Sequence, residues 1–201
     1  MSDIKLFGLY DYEVEIRDPG LRQYISLKTV ELPHSFARFA NRPFAKSRAN
    51  IVERLANKMM RGGTGEKLGG KIIRTHGRLQ GKKTKVLSVI RHSFELISRK
   101  TKQNPLQLLV RAVENTAPRE EVTRVRFGGM SYQVAVDVSP LRRVDLALRN
   151  IALAAIIGSF NKKAKLADTL ANEIELAAVG SQDSYAVKRK QEMERMSKSA
   201  R

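Results

Sequence analysis

The sequence predicts a mainly α-helical fold, a single helical domain of about six helices with one projecting β-hairpin arm and an N-terminal extension. Three observations predict it. Apolar residues recur at helical spacing in five stretches after residue 50, two short alternating stretches flank Gly128-Gly129, and the basic stretch 38–48 shows no regular apolar period. We therefore divide the chain into an extension with a basic arm over residues 1–50 and a helical domain over residues 51–201.

Local signals mark several helix ends. The first helix ends at Gly62-Gly63, and the third begins with Asn104 as N-cap and Pro105 at the first helical position. Gly180 ends the fifth helix, and Ser184 caps a last, mostly polar helix. The apolar stripes that define the other five are Ile51/Leu55/Met59, Val86/Ile90/Phe94/Ile97, Leu106/Leu109/Val110/Val113, Leu141/Val144/Leu148/Ile151 and Leu166/Leu170/Ile174.

Period-two alternation on both sides of Gly128-Gly129 predicts a β-hairpin over about residues 122–138. Because we predict no further strand pair in the helical domain, this hairpin should project from the helices. The extension has strand-like content at Leu6–Tyr10 and Tyr24–Leu27 and a turn at Asp18-Pro19-Gly20. The basic stretch 38–48 is predicted to be an arm that becomes ordered on binding.

The net charge is +18 over 201 residues, and residues 34–100 hold 17 basic side chains against three acidic ones. Within them, residues 62–85 interleave seven glycines with seven basic residues and the single acid Glu66. Repeated cations repel one another unless an anion lies between them, and glycine lets the backbone approach a partner closely. The segment therefore predicts a glycine-rich basic loop laid against a polyanion.

Several function classes are excluded or disfavoured by composition. The chain has no cysteine and no tryptophan, and 6% aromatic residues make base stacking an unsuitable main mode of recognition. No signal peptide begins the sequence, and its longest apolar run is too short to cross a bilayer, which predicts a soluble intracellular protein without membrane contact. The three histidines His34, His76 and His92 are too scattered to suggest a metal site.

The stretch Gly65–Lys71 fits the G-x-x-x-x-G-K frame of a phosphate-binding loop. However, Ile72 replaces the hydroxyl residue that such loops offer to Mg²⁺, and a helix is predicted before it where a strand should stand. No Ser, His and Asp arrangement suggests nucleophilic catalysis. We therefore predict no enzyme activity and no cofactor.

Arginines off the apolar stripes are candidates for phosphate contacts, because the guanidinium fork binds phosphate oxygens bidentately. Arg142 and Arg149 share a helix face, and Arg124 and Arg126 alternate on the first hairpin strand. Alternatively, the hairpin arginines lie on a solvated edge strand, where their charge prevents pairing with a strand of another chain. This alternative stays open.

Several long segments resemble the archaeal and eukaryotic form of the small-subunit ribosomal protein seven family. They occur in the order IVERLANKMMRGG, NPLQLLVRAVENTAPREE, GGMSYQVAVDVSPLRRVDLALRNI, LADTLANEIELAA and YAVKRKQEMERMSKSAR, over residues 34–201. The N-terminal DPGLRQYISLKTVELPH is similar to the extension that archaeal and eukaryotic members carry.

The resemblance implies a structural constituent of the small ribosomal subunit in the cytoplasm, binding the 3′ major domain of small-subunit rRNA and helping to nucleate head assembly. It also implies neighbouring small-subunit ribosomal proteins, with mRNA and the exit-site tRNA nearby. The alternatives are a general nucleic-acid-binding protein without ribosome specificity, which shares the charge, and a phosphate-loop enzyme.

The resemblance implies contacts at Lys82, Lys83, the hairpin residues Arg124, Arg126, Tyr132 and Gln133, and the turn that includes Arg142 and Arg143. The loop 62–81 is longer than in many members, so its insertion into rRNA is predicted from charge alone. The full set of predicted RNA-binding residues is Arg38, Lys46, Arg48, Lys58, Arg61, Lys67, Lys71, Arg74, Arg78, Lys82, Lys83, Lys85, Arg124, Arg126, Tyr132, Gln133, Arg142, Arg143, Arg149, Lys188 and Lys190.

Overall fold

The predicted helices follow one another in the expected order. The computed structural model describes residues 4–62, 64–68 and 71–201. Its described residues form six helices of ten or more residues, a one-turn helix at the start and a short 3₁₀ helix at Ala45–Arg48. The helices are α1 Pro19–Arg22, α2 Ile51–Met60, α3 Lys83–Thr101, α4 Pro105–Thr116, α5 Pro140–Ser159, α6 Leu166–Val179 and α7 Tyr185–Ser199.

Side chains and glycine fix the helix ends where the sequence predicts them. The Asn104 carboxamide oxygen accepts a hydrogen bond from the Leu106 backbone N–H at 3.0 Å, which caps α4. The Ser184 hydroxyl accepts from the Val187 N–H at 3.2 Å and caps α7. Gly180 ends α6 with φ +77°, a conformation that glycine adopts without steric cost.

The core lies where α6 packs against α3, α4 and α5, and α2 packs against α5 and α3. Every residue of the five predicted apolar stripes is buried except Leu166, which is partly buried. None of the described helices combines the length and apolar character that a bilayer span needs.

The N-terminal extension packs onto this core. Leu6, Leu21 and Ile25 are buried in it, and the Phe7 and Tyr10 rings stand edge-on to Phe94 with centroids 6.4 and 6.0 Å away. The predicted strands of the extension are wrong. Leu6–Tyr10 is a tight turn and Tyr24–Leu27 is irregular, because their apolar side chains pack against the helices. Within the described residues each stretch makes only an isolated bridge, Leu6 to Tyr10 and Ser26 to Asn50.

The predicted hairpin is confirmed as β3 Glu120–Phe127 paired antiparallel with β4 Met130–Asp137. Gly128 and Gly129 between them both have positive φ, as a two-residue hairpin turn requires. A second hairpin, β1 Thr64–Leu68 with β2 Lys71–Arg74, lies inside the segment predicted as a basic loop. Its sequence carries the same signal, Gly69-Gly70 between two short runs, but the dense glycines and cations of the segment obscured it.

Candidate nucleic-acid interface

A cleft of about 620 Å³ lies between the basic arm, α2 and the first half of α5. Four predicted RNA-binding residues line it, namely Lys46, Lys58, Arg142 and Arg149. The one carboxylate in its lining is Asp145, on α5. Residues from three separate stretches of the chain therefore meet as a cationic cleft.

Asp145 holds three of the surrounding cations in place. Its Oδ1 accepts from Arg54 Nη2 at 3.2 Å and lies 3.4 Å from Lys58 Nζ, and its Oδ2 accepts from Lys46 Nζ. Burial raises the pKa of Asp145, but the hydrogen bond from Lys46 and the charges of Lys58 and Arg54 outweigh it, so the pKa lies below its ordinary value. The carboxylate therefore stays ionised and fastens the arm to α2 and α5.

Glu53 on α2 is the second anchor, and its side chain is only 4% exposed. Its Oε1 accepts from the Ser35 backbone N–H at 2.9 Å, from the Ser35 hydroxyl at 2.7 Å and from Lys83 Nζ. Burial raises the pKa of Glu53, but the hydrogen bonds from Lys83 and Ser35 lower it by more, so the pKa lies below its ordinary value. Glu53 thus ties Ser35, which lies just before the arm, and the start of α3 to α2.

The arm has a defined path in the isolated chain. Besides its anchors at Ser35 and Lys46, the Arg48 carbonyl accepts from the Ser26 hydroxyl at 3.2 Å. Several of its residues form turns, followed by the 3₁₀ helix. That binding orders the arm further stays a prediction.

A second set of predicted residues points outward. Their side chains are exposed and make no hydrogen bond or ion pair within the described part of the chain: Arg38, Arg48, Arg78, Lys82, Lys85, Arg124, Arg126 and Lys188. Arg61 and Arg149 are also exposed. Outward cations of this kind are available to an external anion.

The start of α3 concentrates positive charge where a helix tolerates it least. Lys82 is the N-cap without a side-chain capping bond, Lys83 and Lys85 follow, and the first turn has no acidic residue. The helix dipole places partial positive charge at this end, so the lysines are unfavourable there. An anion bound beside Lys82 and Lys85 relieves that repulsion.

The β3–β4 hairpin has two unlike faces. Arg124 lies opposite Gln133 in the register, so their side chains share one face with Arg126. Tyr132 pairs with Val125 and lies on the other face, which is apolar and exposed towards the tip. Sequence reasoning grouped Tyr132 with Gln133, whereas the strand register separates them.

Some predicted contacts serve the fold. Arg142 makes a bidentate ion pair with Glu121 of β3 at 2.7 and 2.8 Å and keeps half its side chain exposed. Arg143 is 12% exposed and donates to Asp18 at 2.9 Å, which ties α5 to the extension. Lys190 Nζ donates to the Asn115 carbonyl at 3.0 Å near the end of α4. Arg143 and Lys190 are therefore internal braces in this structure.

The side chains of Lys67, Lys71 and Arg74 lie outside the described part of the structure. Sequence reasoning also missed residues of the surface, including Arg42, which is exposed in the arm, and the two anchoring acids. The sequence does distinguish both acids from the residues around them. Glu53 is the only acid between residues 34 and 65, and Asp145 is the only acid of α5.

The geometry gives no basis for catalysis at the phosphate-loop motif. The residues Lys71–Arg74 form a strand, whereas a phosphate-binding loop needs a helix there. Within the described residues, no group of three or more His, Asp or Glu is placed to hold a metal ion.

Residues 21–201 match the family model described as Ribosomal protein S7p/S5e. The chain belongs to this family. As an S7p/S5e protein it is a structural component of the small ribosomal subunit in the cytoplasm and not an enzyme, and it binds small-subunit rRNA and ribosomal proteins. The family prediction from the sequence is confirmed, and within this S7p/S5e protein the cationic cleft and the outward cations form the candidate rRNA surface.

Replacing Asp145 by Asn should destabilise this S7p/S5e protein by about 3 kcal/mol, because the buried Arg54 loses its counter-charge. The native pKa of Asp145 is lowered, so its contribution is present above the ordinary value of 3.8 and lost as pH falls through the native value. The variant should therefore lose less stability than the parent on acidification below about pH 4. Urea unfolding across pH measures both effects.

The matched control is Asp137→Asn, which changes an exposed acid at the end of β4. It should leave the free energy of unfolding within about 0.5 kcal/mol of the parent. Equal stability of the Asp145 and Asp137 variants would contradict the anchoring role.

Proposed function

We propose that the chain binds the 3′ major domain of small-subunit rRNA and helps to nucleate head assembly, as a family member of the archaeal and eukaryotic type. The observation that carries the proposal is the cationic cleft, in a chain whose family binds small-subunit rRNA. The order of its sequence segments and its N-terminal extension favour the archaeal and eukaryotic type.

The composition of the cleft suits RNA phosphates. Four cations, Lys46, Lys58, Arg142 and Arg149, line the cleft together with a single carboxylate, so the lining carries more positive than negative side chains. Phosphate oxygens supply further negative charge and accept hydrogen bonds from the exposed part of Arg142. Because Asp145 already holds Lys46 and Lys58, these cations lose little conformational freedom on binding.

Binding is electrostatic in mechanism. Lysine and arginine side chains displace counterions from a folded RNA junction and hold its helices in one arrangement. Specificity comes from shape, since the arm, the start of α3 and the β3–β4 hairpin leave the core at separate places and each meets a different part of the junction. The β1–β2 hairpin, which belongs to the basic segment 62–85, is a further element that inserts into rRNA.

The β3–β4 hairpin and α7 are proposed to lie near the exit-site tRNA and the mRNA path, beside a neighbouring head or platform protein. The two unlike faces of the hairpin fit this placement. Arg124 and Arg126 suit a nucleic-acid backbone, and Tyr132 offers a ring for a base or an apolar surface for a protein. α7 packs against β3 and α5, so it stays close to the base of the hairpin.

The rival function is general nucleic-acid binding without ribosome specificity. It shares the charge but gives no reason for the family match. Competition between a folded 3′-domain rRNA fragment and random duplex DNA separates the two, since only the proposed function requires the rRNA to win.

Replacing Lys82 and Lys85 together by Gln should weaken binding to the 3′-domain rRNA fragment. Each lysine neutralises one phosphate, so the slope of log affinity against log salt should fall by about 2 in magnitude. Filter binding over a series of salt concentrations measures the slope.

The control changes Arg99 and Lys102 to Gln at the other end of α3, where both are exposed. Along α3 the two pairs lie about 21 to 30 Å apart, so the control should leave the slope unchanged. Equal slopes for both double variants, or equal affinity of the parent for duplex DNA, would count against the proposed function.

A photoreactive residue in place of Phe127, 78% exposed at the hairpin tip, should crosslink to mRNA or tRNA in small subunits that carry them. The same group in place of Val179, 84% exposed at the end of α6, is the control and should give neither adduct. Adducts at position 127 that do not depend on added mRNA and tRNA would argue against this placement of the hairpin.

A further inference from the structure

Two phenylalanine rings stand in solvent, Phe44 in the basic arm and Phe36 just before it. Phe36 is 74% exposed and Phe44 is 79% exposed, whereas Phe94 is fully buried in the core. Exposed aromatic rings are unfavourable in water and are typical of surfaces that contact a partner. Aromatic content was too low to make stacking the main mode of recognition, but these two rings lie inside the cationic surface.

The backbone has an uncommon conformation at both phenylalanines. Phe36 has φ +51° and Phe44 has φ +57°, and Ala37 beside Phe36 has φ +59°. These are three of the seven non-glycine residues with positive φ in the described part of the chain. Bulky side chains rarely adopt this region, and such strain concentrates at functional sites.

Local contacts hold the Phe36 ring and the backbone at Phe44 before any partner binds. The Phe36 backbone N–H donates to His34 Nδ1 at 3.0 Å, and the two rings lie with centroids 4.1 Å apart. The Phe44 carbonyl accepts from the Ser47 hydroxyl at 3.0 Å. The anchors at Glu53 and Asp145 hold the arm on either side of both rings.

The surroundings of the rings identify their partner. Residues 34–48 contain four basic side chains and no acid, and Phe44 lines the cationic cleft with Lys46, Arg142 and Arg149. An apolar protein surface would satisfy the rings but leave the exposed Arg38, Arg42 and Arg48 beside them without counter-charge. An unpaired nucleotide satisfies both, since its base stacks on a ring while its phosphate meets a cation.

We propose that Phe36 and Phe44 each stack on an unpaired base of the small-subunit rRNA. This rests on the proposed function and adds a non-ionic part to an otherwise electrostatic contact. The rings then fix the register of the arm on a single-stranded element, which phosphate contacts alone do not specify.

The absence of tryptophan from the chain makes the test direct. Phe36→Trp and Phe44→Trp each introduce a single tryptophan, which keeps the ability to stack and can be excited apart from the five tyrosines. A 3′-domain rRNA transcript should quench both fluorophores, because a stacked base quenches indole emission. Val179→Trp, an exposed position at the end of α6, is the control and should keep its emission.

Phe36→Leu and Phe44→Leu separate stacking from charge. Each should lower affinity for the transcript by about tenfold, within the range for losing one stacked base, while the salt slope stays as in the parent. The tryptophan variants should bind as tightly as the parent, which shows that the arm still folds.

Failure of the stacking proposal and failure of the proposed function give different results. Unquenched tryptophans with parental affinity in the leucine variants overturn the stacking proposal and leave the proposed function intact. A lower salt slope in the leucine variants also overturns it, because the rings would then act by positioning cations. If the parent fails to bind the transcript specifically, the proposed function itself is wrong.

Discussion

The candidate rRNA surface depends on two carboxylates, the buried Glu53 and the partly buried Asp145. Glu53 and Asp145 hold the arm, α2, α3 and α5 together by accepting from residues of the arm and from three nearby cations, Arg54, Lys58 and Lys83. A chain of net charge +18 resists folding through self-repulsion, and these acids relieve the repulsion where the cations are densest. Their lowered pKa values keep both ionised, so the surface is arranged before RNA arrives.

This arrangement divides the cations into an inner and an outer set. The inner set, which includes Arg54 and Arg143, ties elements together and is mostly shielded from solvent. The outer set, which includes Arg38, Lys82 and Lys85, has no internal partner in the described chain and is available to an external anion. An rRNA-binding protein that folds before assembly needs both, because cations used only outward would leave the compact state under strain.

The sequence predicted the helices well because each has an apolar stripe and a local end signal, such as Asn104 and Gly180. The sequence did not distinguish the cations that face outward from those that brace the fold. Arg142 and Arg143 are neighbours in the chain, but their partners, Glu121 and Asp18, are distant in sequence. The hairpin residues that share a face with Tyr132 depend on the strand register, which the sequence does not specify. No local sequence pattern indicates that the turns at Phe36 and Phe44 leave their rings in solvent.

The face organised by Glu53 and Asp145 should lie against rRNA in the assembled small subunit. Lysine acylation of the free chain and of the small subunit, with modified sites counted by mass spectrometry, shows whether it does. We expect Lys82 and Lys85 to be protected in the subunit, while Lys102 at the far end of α3 stays reactive. Lys82 and Lys85 that react in the subunit as readily as in the free chain would contradict it.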